Sequence, residues 1–294
     1  MKPALFEYLC AKDKRDALGF LKEYGEDAKI LAGGQSLMPL MNMRLSRPEY
    51  IIDINRIPEL SYINEAEGAL KIGAMTRHRD LETSPLIRSR CPIFSDAIRH
   101  IGHVQIRTRG TIGGSLAHAD PSAEMPGIIT LLDGKIRVEN LDGERALSPE
   151  EFFISYFITS LDPEEMIIEI ELPVMPPQMG WSFMEKSMRE GDLAIAGTGV
   201  TLEIEDDNET CMAAKVVFIG VDERPVRGSV IEEYLPGRPV NELTVEKAGE
   251  LVKDVIDPES DIHASAEYRH HISKVLFKRA LMEAKRRAEA RAKI

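Results

Sequence analysis

The stretch Lys29-Ile30-Leu31-Ala32-Gly33-Gly34-Gln35-Ser36-Leu37-Met38-Pro39-Leu40 changes structure twice. Lys29 to Ala32 reads as a short apolar strand. Gly33 and Gly34 then let the backbone turn sharply and expose its N–H groups, a nest that suits an anion. Ser36 can cap a helix or donate to a phosphate oxygen. Pro39 suits a first helical turn, where its missing N–H is harmless, and a helix N-terminus adds a favourable dipole. The stretch is neither GxGxxG nor GxxxxGK[ST], so the usual dinucleotide and P-loop readings fail. Taken alone, it serves a tight turn between two elements as well as a phosphate cradle.

Working outward, Asp13 to Asp16 resembles a capping box for a helix with Ala17, Leu18, Leu21 and Tyr24 on one face and Gly25 as its stop. Tyr50 to Ile54 is a second strand, which completes a compact α/β unit. Another unit follows. Ala69 to Gly73 reads as a strand, Thr76 as a cap for a helix over His78 to Leu86, and Ile93 to Ile101 as an amphipathic helix. Gly110 to Gly114 interrupts this pattern. Ile136–Glu139 and Arg145–Leu147 flank Asp142-Gly143 as a hairpin, and Glu169 to Leu172 alternates like a strand. Pro173 to Pro177 reads as a linker. Beyond it, strands over 199–204 and 215–221 and helices over 245–255 and 264–290 predict a separate α+β domain.

A second glycine stretch, Thr111-Ile112-Gly113-Gly114-Ser115-Leu116-Ala117-His118-Ala119-Asp120-Pro121, repeats the apolar–Gly–Gly–polar order. Thr111 and Ser115 supply hydroxyls, and Gly113-Gly114 is read as supplying backbone donors. Two such nests fit a pyrophosphate.

Composition narrows the function classes. The 294 residues are 43% hydrophobic and 29% charged, which is globular rather than disordered. No apolar run approaches the roughly 20 residues of a membrane span, and the segment from Met1 to Glu7 does not read as a signal peptide, so a cytoplasmic protein is expected. The net charge of −12 argues against a nucleic-acid binder. The basic run from Lys278 to Lys293 reads as a solvated helix end rather than a binding tail. Three dispersed cysteines, Cys10, Cys91 and Cys211, exclude a four-cysteine cluster within this chain. His100-Ile101-Gly102-His103 and His118-Ala119-Asp120 have ligand-like spacings but no HExxH and no indicated third ligand, so no metal site is assigned. Trp181, Phe183 and the methionines 38, 41 and 43 read as packing residues before flavin contacts.

AGGQSLMPLM at 32–41 and TIGGSLAHADPSAEMP at 111–126 resemble the two FAD-binding motifs of the flavin (medium) subunit of molybdenum hydroxylases, a family that includes carbon monoxide dehydrogenase medium subunits and the xanthine dehydrogenase flavin domain. Arg189, Asp192 and Ala194 are similar to the family's R-x-x-D-x-A segment. Ser265-Ala266-Glu267-Tyr268-Arg269 with Arg279-Ala280-Leu281 is similar to its C-terminal S-x-x-Y-R…R-A-L pattern. The resemblance implies an α+β chain with a p-cresol-methylhydroxylase-type FAD-binding fold: two α/β subdomains, 1–57 and 58–174, and a C-terminal flavoprotein domain, 178–290. It implies that Ile30, Leu31, Ala32, Gly33, Gly34, Gln35, Ser36 and Leu37 meet the cofactor from one side. Thr111, Gly113, Gly114 and Ser115 meet it from the other. Ile101 and Ile106 stand as apolar neighbours, Glu124 faces the polyol chain, and Lys186 and Asp192 complete the set. Gln35 and Ser115 depart from the His and Asn of some members, and both retain hydrogen-bonding ability.

The same resemblance implies an electron-transfer subunit. A small iron–sulfur partner with [2Fe–2S] clusters delivers electrons, and a large molybdenum-cofactor subunit oxidises the substrate, in a heterohexamer with two copies of each chain. No residue of this chain is expected to be catalytic toward the organic substrate. Two rivals remain: a stand-alone FAD oxidase or reductase, which turns over alone, and a non-catalytic nucleotide-binding scaffold, which holds no flavin.

Overall fold

The computed structural model describes residues 2–205 and 209–291; Met1 and Lys293, named above, lie outside them. Near the N-terminus, Asp13 accepts a hydrogen bond from the Asp16 N–H and caps the helix Lys14–Tyr24, and Gly25 turns the chain at φ 49°. Ala17, Leu18 and Leu21 are the buried face of that helix. They cover a three-stranded parallel sheet in the order Glu7–Cys10, Tyr50–Asp53, Ala28–Leu31. The edge strand Glu7–Cys10 is not legible as alternation, because no residue of it is fully buried.

A five-stranded antiparallel sheet follows, in the order Ile63–Ala66, Ala69–Gly73, Met166–Pro173, Lys135–Asn140, Gly143–Leu147. The expected hairpin forms, and the Asn140 carboxamide accepts from the Asp142 and Gly143 N–H groups at its tip. Strand Met166–Pro173 runs one residue into the expected linker. Pro173 pairs with Ala69 at the strand's last position, where a missing donor is tolerated. Thr76 does not cap a helix. Its hydroxyl bonds the backbone of Tyr62, and Arg77 takes the N-cap position of the helix His78–Thr83. The helix Glu124–Leu131 is not legible in the sequence. Seven of its eight residues are buried, so it carries no amphipathic period.

The C-terminal part is a four-stranded antiparallel sheet, Gly180–Lys186, Ala196–Ile204, Cys211–Ile219 and Val226–Arg227. The long helix Ala266–Arg291 packs along its first two strands. Residues 196–202 are buried without alternation, because helices lie on both faces of the sheet. Gly199 permits this on one side, where a Cβ would stand 3.0 Å from Leu131 Cδ2. Phe183, Ala194, Val217 and Ile219 therefore belong to the same apolar cluster as Leu70, Ile112 and Ile128 of the preceding part. Trp181 is a packing residue as expected. Its indole N–H donates to Asp96 at 3.2 Å, and the guanidinium groups of Arg287 and Arg291 lie 4.8 and 4.4 Å from its ring centroid. Among the described residues, no helix is long and apolar enough to cross a membrane.

Candidate functional site: two glycine turns in contact

Strand Ala28–Leu31 pairs along the buried strand Tyr50–Asp53 and delivers its last residues, Ile30 and Leu31, to the turn Ala32 to Ser36. Gly34 takes φ 73°, a conformation costly to any residue with a Cβ. The helix Leu37–Asn42 then begins, with Pro39 inside its first turn. Ser36 occupies the N-cap position, but its hydroxyl makes no capping bond, which corrects one of the two expected roles. Gln35 donates its side-chain amide to the Gly33 carbonyl at 3.0 Å. The backbone N–H groups of Gly33, Gly34, Gln35 and Ser36 donate to no acceptor among the described residues. Four consecutive unengaged donors are the property an anion cradle needs.

The Thr111 stretch behaves differently. Thr111 caps the helix Ile112–His118 through Gly114, whose N–H meets the Thr111 hydroxyl at 3.1 Å. The N–H of Ile112 donates to Thr76, that of Gly113 to Ala74, and that of Ser115 to Thr111. Gly113 and Gly114 are thus not spare backbone donors, a correction to the expectation from sequence. They are glycines because the helix is pressed against its neighbours. A Cβ on Gly113 would stand 2.7 Å from Ala74 Cβ, and one on Gly114 2.8 Å from the Thr111 hydroxyl. Ser115 lies half-buried on the same helix.

The two stretches touch. The Cβ position of Gly33 runs into the Arg109 carbonyl and lies 2.8 Å from Gly110 Cα, and that of Gly114 lies 3.7 Å from Ala32 Cβ. Two residues that sequence reasoning misses lock this contact. The Asn55 side chain donates to the carbonyls of Leu31 (3.3 Å) and Ala32 (2.9 Å) and to Asp53 (2.7 Å). Its oxygen accepts from Arg77 at 2.7 Å, and Arg77 also donates to the Arg109 carbonyl at 2.5 Å. Burial, and then the Arg109 charge, push the Arg77 guanidinium below its ordinary range, although it stays a cation. The Arg77 guanidinium thus sits at the contact between the two turns. No periodic signal marks a lone Asn or Arg after a strand, so neither stands out in the sequence. Asn55→Ala should lower unfolding free energy by about 1–3 kcal/mol, because buried carbonyls and Arg77 lose their partner. Urea denaturation of the FAD-free chain measures this.

His78 packs beneath the Thr111 turn, 3.0 Å from the Cβ position of Gly110. Its ring is fully enclosed with both nitrogens unpartnered, and burial holds its pKa down to about 4, so it is neutral. The remaining predicted residues lie on other elements, and Ile106 joins the glycine contact through its carbonyl, which accepts from the Gly110 N–H at 2.7 Å. Ile101 packs against the main core, and Ile106 is 37% exposed. The loop that carries exposed Asp192 follows the strand end at Lys186, and it reaches over them: Gly191, at φ 84°, would place a Cβ 2.9 Å from His103 and 3.0 Å from Gly102. Glu124 is the buried first residue of its helix. Burial, followed by the charge of Glu185, raises its carboxyl to about 8. Among the described residues, no group of three or more His, Cys, Asp or Glu side chains is arranged to hold a metal.

Comparison with known proteins gives the family of the chain. Residues 4–175 match the family described as the FAD binding domain in molybdopterin dehydrogenase, and residues 181–284 match the CO dehydrogenase flavoprotein C-terminal domain. Subunit alpha of the 6-hydroxypseudooxynicotine dehydrogenase complex of Paenarthrobacter nicotinovorans is 39% identical, with 98% of this chain and 97% of that one covered. The carbon monoxide dehydrogenase medium chain of Hydrogenophaga pseudoflava is 33% identical over 96% of this chain and 97% of its own. The solved carbon monoxide dehydrogenase of the same organism superposes with a TM-score of 0.94 at 34% identity, covering 98% of this chain and 99% of that one. The quinoline 2-oxidoreductase of Pseudomonas putida 86 superposes equally well, at 0.94 and 32% identity, over 98% and 99%.

Proposed function

The chain belongs to the family of FAD-binding medium subunits of molybdenum hydroxylases, and from that premise we propose that it relays electrons from the [2Fe–2S] clusters of a small partner subunit to an external acceptor. Its cofactor is FAD, and its relatives are subunits of oxidoreductases. The observation that carries the reading is the run of four unengaged amides on a turn pressed against a second glycine turn, with the Arg77 guanidinium at the contact. These residues fit a pyrophosphate, which needs several donors and adjacent positive charge.

In this reading the fold is of the p-cresol-methylhydroxylase type, with FAD between segments 1–57 and 58–174 and partly covered by 178–290. Gly33 to Ser36 hold the pyrophosphate through their amides. Thr111 and Ser115 close the opposite side with hydroxyl groups, and Gly113 and Gly114 allow the approach. Ile101 and Ile106 form an apolar wall that excludes water. Glu124 keeps a proton on its carboxyl within the cleft, and the loop between Lys186 and Asp192 shields the opening. Bound FAD supplies exchange of one or two electrons at a time. The substrate is oxidised on a large molybdenum-cofactor subunit, in a cytoplasmic assembly with two copies of each of the three chains.

Two expected results test this. The purified chain should show a flavin spectrum, and acid precipitation should release all of the yellow colour, because no His or Cys is assigned to hold the ring covalently. The lone chain should be bleached by dithionite but not by an aldehyde, a purine or an aromatic heterocycle. Adding the iron–sulfur and molybdenum subunits should restore substrate-driven bleaching. Bleaching by an organic substrate in the lone chain would promote the stand-alone oxidase or reductase, and a chain without flavin would promote the scaffold.

A further inference from the structure

A cleft of about 220 Å³ opens where the C-terminal part meets the preceding one. Ser122 and Tyr156 line it from one side, and Asp222, Glu259, Asp261 and Arg269 from the other. Tyr156 stands between the short strands Phe153–Ser155 and Ile158–Thr159. Asp222 follows the strand Cys211–Ile219, and Arg269 lies in the first turn of the helix Ala266–Arg291. Bonds across the junction fix the two sides. The Gly220 N–H donates to the Pro121 carbonyl at 2.9 Å, the Ser155 hydroxyl to Glu223 at 2.7 Å, and Arg224 to the Phe153 carbonyl at 3.2 Å.

The lining is unbalanced in charge. Arg269 is its single cation and is 7% exposed. Its Nη1 donates to the carbonyls of Ile195 (2.5 Å) and Gly220 (2.6 Å), and its Nη2 to Asp261 at 2.7 Å. Its Nε has no partner. Asp261 is thus matched, whereas Asp222, Glu259 and the neighbouring Glu223 pair with no cation among the described residues. Tyr156 is 44% exposed. Burial, and then the charges of Glu259, Asp222 and Glu223, hold its hydroxyl above the ordinary range, so it is a neutral phenol.

We propose that this cleft binds a small organic ammonium that also carries a carbonyl or hydroxyl oxygen. The inference goes beyond the electron-transfer reading and does not depend on where FAD sits.

Unmatched carboxylates draw a cation, and an aromatic ring beside them is the arrangement that recognises alkylated ammonium groups. A metal ion is not indicated, because among the described residues no three His, Cys, Asp or Glu are arranged to hold one. An anion is disfavoured, because the charge of Arg269 is already matched by Asp261. A buried donor without an acceptor is costly, and an oxygen on the ligand supplies one to Arg269 Nε. A cavity of about 150 Å³ already holds benzene. The cleft, at about 220 Å³, therefore suits an amino alcohol or amino ketone of similar size and is too small for a dinucleotide.

Choline and its uncharged isostere 3,3-dimethylbutan-1-ol are the probes, because they share a shape and a hydroxyl and differ in charge. Calorimetric titration of the full-length chain should give choline a Kd of about 1 mM or tighter. The isostere should bind at least about tenfold more weakly, and tetramethylammonium, which lacks the oxygen, should also bind more weakly than choline. Added salt should weaken choline and leave the isostere unchanged. Asp222→Asn combined with Glu259→Gln should reduce choline affinity by about tenfold, and Tyr156→Leu by about threefold or more. These side chains are exposed or half-buried, so both variants should unfold in urea as wild type does. Equal affinity for choline and either comparison probe, no saturable choline binding below about 10 mM, or unchanged binding in either variant overturns the proposal.

Discussion

Gly33→Val should lower the affinity for FAD at least about a hundredfold, which corresponds to about 2.7 kcal/mol. The first Cβ atom already runs into the Arg109 carbonyl and comes within 2.8 Å of Gly110 Cα, and both are backbone. Backbone held by Arg77 and Asn55 cannot step aside as a side chain can, so the two turns must separate. Separation carries the unengaged amides away from the Thr111 stretch. Overpacking of this kind itself costs about 1–3 kcal/mol of stability. Gly34→Ala is the informative comparison. There the strain lies in φ 73°, and the nearest atoms are the side chains of Leu31 and Met38 at 3.2 Å. That variant should lose about 1–2 kcal/mol of stability and retain measurable flavin binding. Flavin fluorescence titration gives both affinities. Wild-type affinity in folded Gly33→Val would remove the contact between the turns from the account of the site.

Glu124→Gln should flatten the dependence of stability on pH between about 4.5 and 8. The carboxyl moves from an ordinary 4.5 to about 8 on folding, first through burial and then through Glu185. A raised folded value means that the native state holds a proton that the unfolded chain has lost. Stability is therefore unaffected by this group below 4.5, falls as pH rises toward 8, and carries the whole penalty above it. That penalty is at most about 5 kcal/mol, from about 1.4 kcal/mol per pH unit. At pH 9 the glutamine variant should be more stable than wild type by about 2 kcal/mol or more, and at pH 5 the two should agree. His78 acts on the acid side, because burial lowers its folded value from 6.5 to about 4. Its contribution is lost as pH falls through that window, so the two effects separate in urea denaturation series at pH 5 and pH 9. Equal slopes for wild type and variant between pH 5 and pH 8 would show that Glu124 ionises freely in the native state.

The Gly33-Gly34 stretch is legible because its chemistry is local. A strand of apolar residues, two glycines and a proline fix a turn without help from elsewhere. The Gly113-Gly114 stretch has the same order of residue types, and there the expectation fails for a physical reason. A glycine needed for free N–H groups and a glycine needed for close packing are the same letter, and only Ala74 and Thr111, at 2.7 and 2.8 Å, reveal which one applies. Helix Glu124–Leu131 is hidden because it is apolar all round, and residues 196–202 because both faces of their sheet are covered. In each case burial erases the periodicity on which sequence reading depends. Asn55, Arg77 and Glu185 act singly across large separations in the chain, as the Asn55–Arg77 bond and the Glu185–His100 contact show. The resemblance to a family names the cofactor, but it does not point to these three side chains.

The close seat of strand Gly180–Lys186 on the last long helix has a consequence for how the molecule is made. Gly180 lies so near the Ala284 carbonyl that a Cβ would collide with it, and Trp181 is covered by Arg287 and Arg291. During synthesis the strand leaves the ribosome roughly a hundred residues before its cover, while the segments ahead of it are free to fold as a unit. Until the helix arrives, the strand's apolar face is a hazard that a chaperone or an early flavin must tolerate. Pulse-labelled nascent chains released at residue 260 should therefore be cleaved by protease near Trp181, and chains released after residue 291 should resist.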